Sequence, residues 1–426
     1  PHPTIALLRM PSFALFAASR VTYGIGNTML QALLLWQVFE ITGSAVSLGF
    51  LGLARLIPTL LLALIGGAVA DSFNRRNIVM AAQCIPLVLA TTMGVATLEG
   101  WISVELLYVF SAALGVTSAF EGPARNALLP GIVPPQSFPA AVSVMSTLQT
   151  FGSITGPVLA GLLIATVDEG PTYLVFSVLA AIAITTLSFV RYRETAFAKR
   201  AVSWQSVTED VTFVRRNQVL LGAMTLDLFA VIFGGVKALL PVYATDILDG
   251  GPTAFGLLEA SFEAGAFLMS VYLLRSKPVA RTGRAVIWTV AAFGLGTMLF
   301  GLSRNLYLSL AIYLLIGAAD QLSAVMRETT VQMATPDELR GRVSAVDQVF
   351  SNSSNQLGAV ESGFVAATMG ATFAVVSGGA GTLAVVGLIA WRLRALYDYV
   401  VPQLVVHHQA GNKRTAVQEP SLPGHP

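Results

Sequence analysis

Residues 66–76 read Gly66-Gly67-Ala68-Val69-Ala70-Asp71-Ser72-Phe73-Asn74-Arg75-Arg76 and stand between two long apolar runs, 46–69 and 77–98. A helix needs about 20 predominantly apolar residues to cross a hydrocarbon core. A short charged stretch between two such runs is a turn at a membrane face. The same alternation recurs along the chain. Twelve spans are predicted: 13–39, 46–69, 77–98, 104–122, 139–166, 171–191, 218–245, 254–275, 285–302, 306–326, 343–368 and 371–396. The 426 residues are 54% hydrophobic and 11% charged, whereas a soluble chain is about a quarter charged. The reading is an all-α membrane protein with twelve transmembrane helices.

Short basic loops stay in the cytoplasm, so Lys/Arg asymmetry sets orientation. One side carries Arg9, Arg75, Arg76, Arg125, the run Arg191 to Arg216, Arg275 to Arg284, Arg327, Arg340 and Arg342. The other carries one cation, Arg304, against Glu40, Glu99, Glu105, Asp168, Glu169, Asp246 and Asp249. Both termini are therefore expected to be cytoplasmic, in a multi-pass protein of the bacterial inner membrane. Trp36, Trp101, Trp288 and Trp391 fall at span edges, where an amphipathic ring prefers the headgroup layer. The single cysteine, Cys84, lies within the third span, and no disulfide, metal or redox site is expected.

The longest polar connection is 191–217, with Trp204, Val207, Val211 and Val214 at helical spacing among its arginines, as in an amphipathic helix on the cytoplasmic surface. It divides the chain into an N-terminal six-helix bundle (1–190) and a C-terminal one (218–396), followed by a polar tail, 397–426, expected to be disordered. The halves echo each other. Arg125 opens a segment with Pro134 mid-way and Ser143 at re-entry; Arg327 opens one with Pro336 and Ser344, about 200 residues on. Parallel six-span repeats with a site between them at the midplane are a transporter arrangement.

The segment 66–76 resembles the G-x-x-x-D-x-x-G-R-[RK] loop of the major facilitator superfamily, with Asn74 where the family usually has Gly. Asn tolerates positive φ better than other non-Gly residues, so the departure is mild. The resemblance implies a cytoplasmic gate. Gly67 would let helices approach, and Asp71 would accept from a helix N-terminus and from Arg125, beside Arg75 and Arg76. The fifth span holds Gly152, Gly156, Pro157 and Gly161, a close-packing surface with a bend. It is similar to the Gly-Pro element of drug–proton antiporters. Arg20 with its neighbours and Pro336-Asp337-Glu338-Leu339-Arg340-Gly341-Arg342-Val343 resemble the enterobactin-exporter-like and multidrug efflux branch.

Ionisable groups within spans cost at least about 2.5 kcal/mol near the bilayer centre, so each is a functional candidate. Glu259 and Glu263 lie one helical turn apart on one face. Two carboxylates that close in a poorly hydrated cavity do not readily ionise together, which is what proton coupling requires. Asp320 and Glu361 are further coupling or substrate candidates. Asp227 and Lys237 are read as ion-pair formers with Arg20 or with the glutamates, and Arg20 and Arg55 as structural or gating residues. Glu121 and Asp347 are read as gate partners of Arg125 and Arg342.

Composition also narrows the class. No phosphate-binding G-x-x-x-x-G-K-[ST] loop occurs, and there are only four lysines. All four histidines (His2, His407, His408, His425) lie in the termini, so the membrane body has no His base or ligand. No cofactor and no nucleic-acid partner is expected; the partners are lipid, protons and a small molecule, and the protein is expected to be a monomer. The reading is a proton-coupled exporter of small amphipathic molecules, drug-like or siderophore-like. An uptake symporter or facilitative carrier is the alternative, with a membrane enzyme or sensor more remote.

Overall fold

The computed structural model describes residue 7 and residues 9–192, 217–276, 279–336 and 339–400, with backbone alone at a few helical positions that include Asp71 and Arg342. The expected amphipathic helix of 191–217 and the expected disordered tail fall almost wholly outside the described residues. Among the described residues the structure is helical and contains no strand. The first half comprises α1 (Pro11–Thr42), α2 (Ala45–Ser72), α3 (Arg75–Leu98), α4 (Val104–Ile132), α5 (Phe138–Val167) and α6 (Glu169–Ser188). The second comprises α7 (Gln218–Phe233), α8 (Val236–Val242), α9 (Gly251–Arg275), α10 (Thr282–Leu302), α11 (Leu306–Ala334), α12 (Arg340–Met369), α13 (Ala371–Arg392) and the short α14 (Arg394–Tyr397).

Local chemistry sets the ends. Asn74, Ser103, Asn217 and Asn305 cap α3, α4, α7 and α11 by accepting from backbone N–H groups of the first turn. Gly43, at φ 58°, closes α1 with its N–H on the Phe39 carbonyl. Helix α4 runs ten residues past the predicted end at 122, through Pro123 and Pro130, so Arg125 sits inside a helix and not at its terminus.

Ten described helical segments, counting the broken stretch Gln218–Ile247 as one, are long and apolar enough to cross a membrane. The two long helices outside that set, α1 and α12, are of comparable length (32 and 30 residues), and α12 is the most polar of the long helices. Both contribute polar side chains, Thr28, Gln31, Asn355 and Gln356, to an internal cavity. The lipid-side signature is clear elsewhere. Leu61, Leu274, Trp288 and Trp391 are 73%, 85%, 68% and 67% exposed, which only an apolar surrounding makes reasonable. Trp36 departs from the expected belt. It is buried against Phe255 of α9 and donates to Glu40 at 2.9 Å.

One pairing scheme occurs twice. In the first half α1 packs on α5 and α6, α2 on α4, and α3 on α4 and α6. In the second, α7 packs on α12 and α13, α9 on α11, and α10 on α11 and α13. The halves meet through α5 with α9 and α2 with α12.

Candidate functional site

The seventh predicted span, 218–245, is not one helix. Helix α7 stops at Phe233, Gly234 and Gly235 are non-helical, and α8 restarts at Val236. Two adjacent glycines each cost about 1 kcal/mol in a helix. Here they are also required sterically, since a Cβ on Gly235 would lie 2.4 Å from the Gly358 carbonyl of α12. The unwound backbone lines a cavity, the setting in which a broken membrane helix is tolerated. The break also aims Lys237 inward.

That cavity, of about 680 Å³, lies between the halves. Its charged lining is Arg55 of α2, Lys237 of α8, Glu259 and Glu263 of α9, and Asp320 of α11. Lys237 Nζ stands 4.0 Å from a carboxylate oxygen of each glutamate. Glu259 is buried and Glu263 half-buried, whereas 64% of the side chain of Lys237, which lines the cavity, is accessible. The expected glutamate pair is thus bridged by a cation. Phe262 and Tyr313, with ring centroids 5.3 Å apart, form an aromatic wall, and Tyr313 continues to Phe300 and Tyr243 at 5.0 and 4.9 Å.

Other predicted residues lie nearer the basic end. Arg327 joins Asp227 at 3.2 Å, too oblique for a hydrogen bond but an ion pair, and donates to Asp347 at 2.6 Å. Ser351 donates to Asp227 at 2.9 Å. The expected partner of Asp227, Arg20, belongs to a different group. It lies on α1 within electrostatic reach of Glu121 and Arg125, which pair with each other at 3.4 Å. Asp347 is held by Arg327, where Arg342 was expected; the Arg342 side chain is outside the described residues. Gln83 donates to Glu121 at 3.3 Å. Glu361 is half-buried, accepts from Ser362 at 3.2 Å and does not line the cavity.

The turn 66–76 is stitched by its arginines. Arg75 donates to the carbonyls of Ala70 and Ala127, and Arg76 to those of Ser188 and Val190, at and just past the C-terminal end of α6, where a helix leaves carbonyls unpaired. The Asp71 side chain lies outside the described residues. The close approach expected at Gly67 belongs to its neighbour. A Cβ on Gly66 would fall 2.0 Å from the Ala119 carbonyl, while one on Gly67 meets nothing within 4 Å. One residue is a 100° turn of the helix, and α4 lies on the other face.

The fifth-span glycines serve two neighbours. Gly152 and Gly156 take the backbone of α1, whose Thr28 donates to the Gly152 carbonyl at 2.8 Å. Gly161 and Pro157 meet Gly256 of α9: a Cβ on Gly256 would stand 2.4 Å from the Pro157 carbonyl. With the edge-on pair Phe50–Phe364, 5.9 Å between centroids, this contact closes the end bearing the acidic loops. The described ion pairs, by contrast, each join residues of one half.

Arg55, expected to be structural or gating, lines the cavity, and Gln31, Gln356, Phe262 and Tyr313 join it without having been anticipated. A signal existed for Arg55. Leu48, Leu51, Gly52, Arg55, Leu56 and Thr59 recur at three- and four-residue spacing, and all of them line the cavity.

A helical membrane protein with two similarly paired halves and a mixed-charge cavity between them is a transporter of the major facilitator type. The chain belongs to the transmembrane secretion effector family, which matches residues 2–409. It is 27% identical over 397 residues to the multidrug efflux pump Tap of Mycolicibacterium fortuitum, covering 90% of this chain and 96% of the relative. It is 23% identical over 334 residues to the staphyloferrin A transporter of Staphylococcus aureus, covering 78% and 84%. The fold is also that of a bacterial homologue of the human lysosomal transporter Spinster, solved in an inward-facing, unoccupied conformation. That match has a TM-score of 0.66 and 15% identity, and covers 91% of this chain and 96% of that one.

Proposed function

We propose that this transporter is a proton-coupled exporter of small amphipathic molecules that works by alternating access in the bacterial inner membrane. All twelve spans cross the bilayer, both termini are cytoplasmic, and 1–190 and 218–396 rock against each other. The observation that carries the reading is the cavity of about 680 Å³, which places Glu259, Glu263 and Asp320 beside an aromatic wall. A carboxylate that alternately holds a proton and a cargo group makes the two compete for one site, which is the elementary requirement of antiport. Contact at the acidic-loop end, taken with the positive-inside orientation, makes this the state that loads from the cytoplasm. The efflux role of the Tap relative supports the direction of transport.

The basic end supplies the other gate. Arg20, Glu121 and Arg125 in the first half carry more positive than negative charge; Asp227, Arg327 and Asp347 in the second carry the reverse. Rocking that closes this end brings opposite net charges together. The test is proton movement in everted vesicles with an acidic interior, challenged with lipophilic cations, anionic siderophores and neutral amphiphiles. Collapse of the gradient by one class, abolished in Glu263→Gln and Asp320→Asn, supports antiport. Cargo equilibration across the membrane without proton movement makes the protein a facilitative carrier.

A further inference from the structure

Taking the cavity as the cargo site, we infer that its cargo is an amphipathic zwitterion, an apolar body bearing a carboxylate and a separate ammonium, held between Arg55 and Asp320.

Two of the cavity's five charged side chains differ from the rest. Lys237 stands 4.0 Å from both Glu259 and Glu263, so each of these three has an ion-pair partner. The side chains of Arg55 and Asp320 have no hydrogen bond or ion pair among the described residues, although both line the cavity. The carboxylate within electrostatic reach of Arg55, Glu121, is committed to Arg125 and Gln83. The cation within reach of Asp320, Arg327, is committed to Asp227 and Asp347. A charge left without a partner inside a membrane protein is costly, and the cost is recovered when a ligand supplies the opposite charge.

The two open charges have opposite sign and belong to opposite halves, Arg55 on α2 and Asp320 on α11. A purely cationic cargo leaves Arg55 unmatched and a purely anionic one leaves Asp320 unmatched; a zwitterion satisfies both. Phe262 and Tyr313, from α9 and α11, take the apolar body. A volume of about 680 Å³ is in the range that encloses a drug-sized molecule. The cargo then touches both halves, so its binding is tied to their relative position.

Three matched fluorescent probes test this on the full-length protein in lipid nanodiscs: Nα-dansyl-L-lysine (carboxylate and ammonium), Nα-dansyl-L-norleucine (carboxylate alone) and dansylcadaverine (ammonium alone). The zwitterion is expected to bind about tenfold more tightly than either singly charged probe. Arg55→Gln should cost it about tenfold while leaving dansylcadaverine within twofold. Asp320→Asn should do the converse, sparing the norleucine probe. Arg55→Lys should restore most of the affinity, which separates lost charge from lost folding. Equal affinities for the three probes, or parallel losses for all of them in both variants, overturn the assignment.

The same probes in the everted-vesicle assay separate this inference from the function it rests on. Zwitterion-selective binding without proton movement contradicts antiport and leaves the cargo class standing. Gradient collapse by dansylcadaverine alone contradicts the cargo class and leaves antiport standing.

Discussion

Arg327 of α11 donates through one guanidinium nitrogen to both carboxylate oxygens of Asp347 on α12, at 2.5 and 2.6 Å. Its Nε lies 3.2 Å from Asp227 of α7, so three helices meet at one cation. These side chains are only 10–18% accessible, and removing one partner leaves uncompensated buried charge. Arg327→Gln should destabilise the protein by about 3 kcal/mol. The check is the thermal unfolding midpoint in detergent. The triple variant Asp227→Asn/Arg327→Gln/Asp347→Asn should recover most of the loss; a triple as unstable as the single would show that charge balance is not what holds this junction.

A second buried polar contact orders the first half. Gln37, 3% exposed on α1, accepts from the Tyr173 hydroxyl at 2.7 Å and donates to Thr97 at 3.0 Å. Tyr173→Phe leaves the Gln37 carbonyl buried without that donor and should cost about 1–3 kcal/mol. The same melting experiment reads it. A midpoint equal to the parent's would mean that a water takes the donor's place.

The contact of Gly256 with Pro157 and Gly161 is a steric device. A side chain on Gly256 cannot fit at 2.4 Å from the Pro157 carbonyl, so Gly256→Val should wedge α5 from α9 at the acidic-loop end. In a Cys84→Ser background, a cysteine at Ser153 in the cavity should then react faster with an impermeant maleimide added to intact cells. Labelling no faster than in the Gly256 parent would remove this contact from the gate.

The bridge from Lys237 to Glu259 and Glu263 bears on coupling. Glu263→Gln removes one partner and keeps the other, so folding and expression should be preserved while gradient-driven efflux is lost. Transport assays at matched protein levels decide it. Efflux that still tracks the proton gradient would place coupling elsewhere, with Asp320 the next residue to neutralise.

How far the sequence could be read follows from which physics is local. Helix 77–98 was legible to within two residues, because apolar length is a property of the segment itself; Asn74, expected to serve through its tolerance of positive φ, stands at φ −60° and caps the helix instead. The break at Gly234-Gly235 was legible in principle. A long apolar window nevertheless outweighed two glycines, and the reason the break persists, the Gly358 backbone against Gly235, lies 123 residues away.

Hydrophobic run lengths and the segregation of basic from acidic connections are set by the chain's own partition between lipid and water, and the sequence alone determined them. Pairing was decided elsewhere. That Lys237 bridges the two glutamates, that Asp347 meets Arg327, that Gly66 and not Gly67 takes the neighbouring helix, and that Arg55 and Asp320 face the cavity without partners all depend on rotation about helix axes and on crossings between distant segments. At 100° per residue, a shift of one position turns a side chain from a neighbour's backbone to open space, and only the packed tertiary structure fixes that angle.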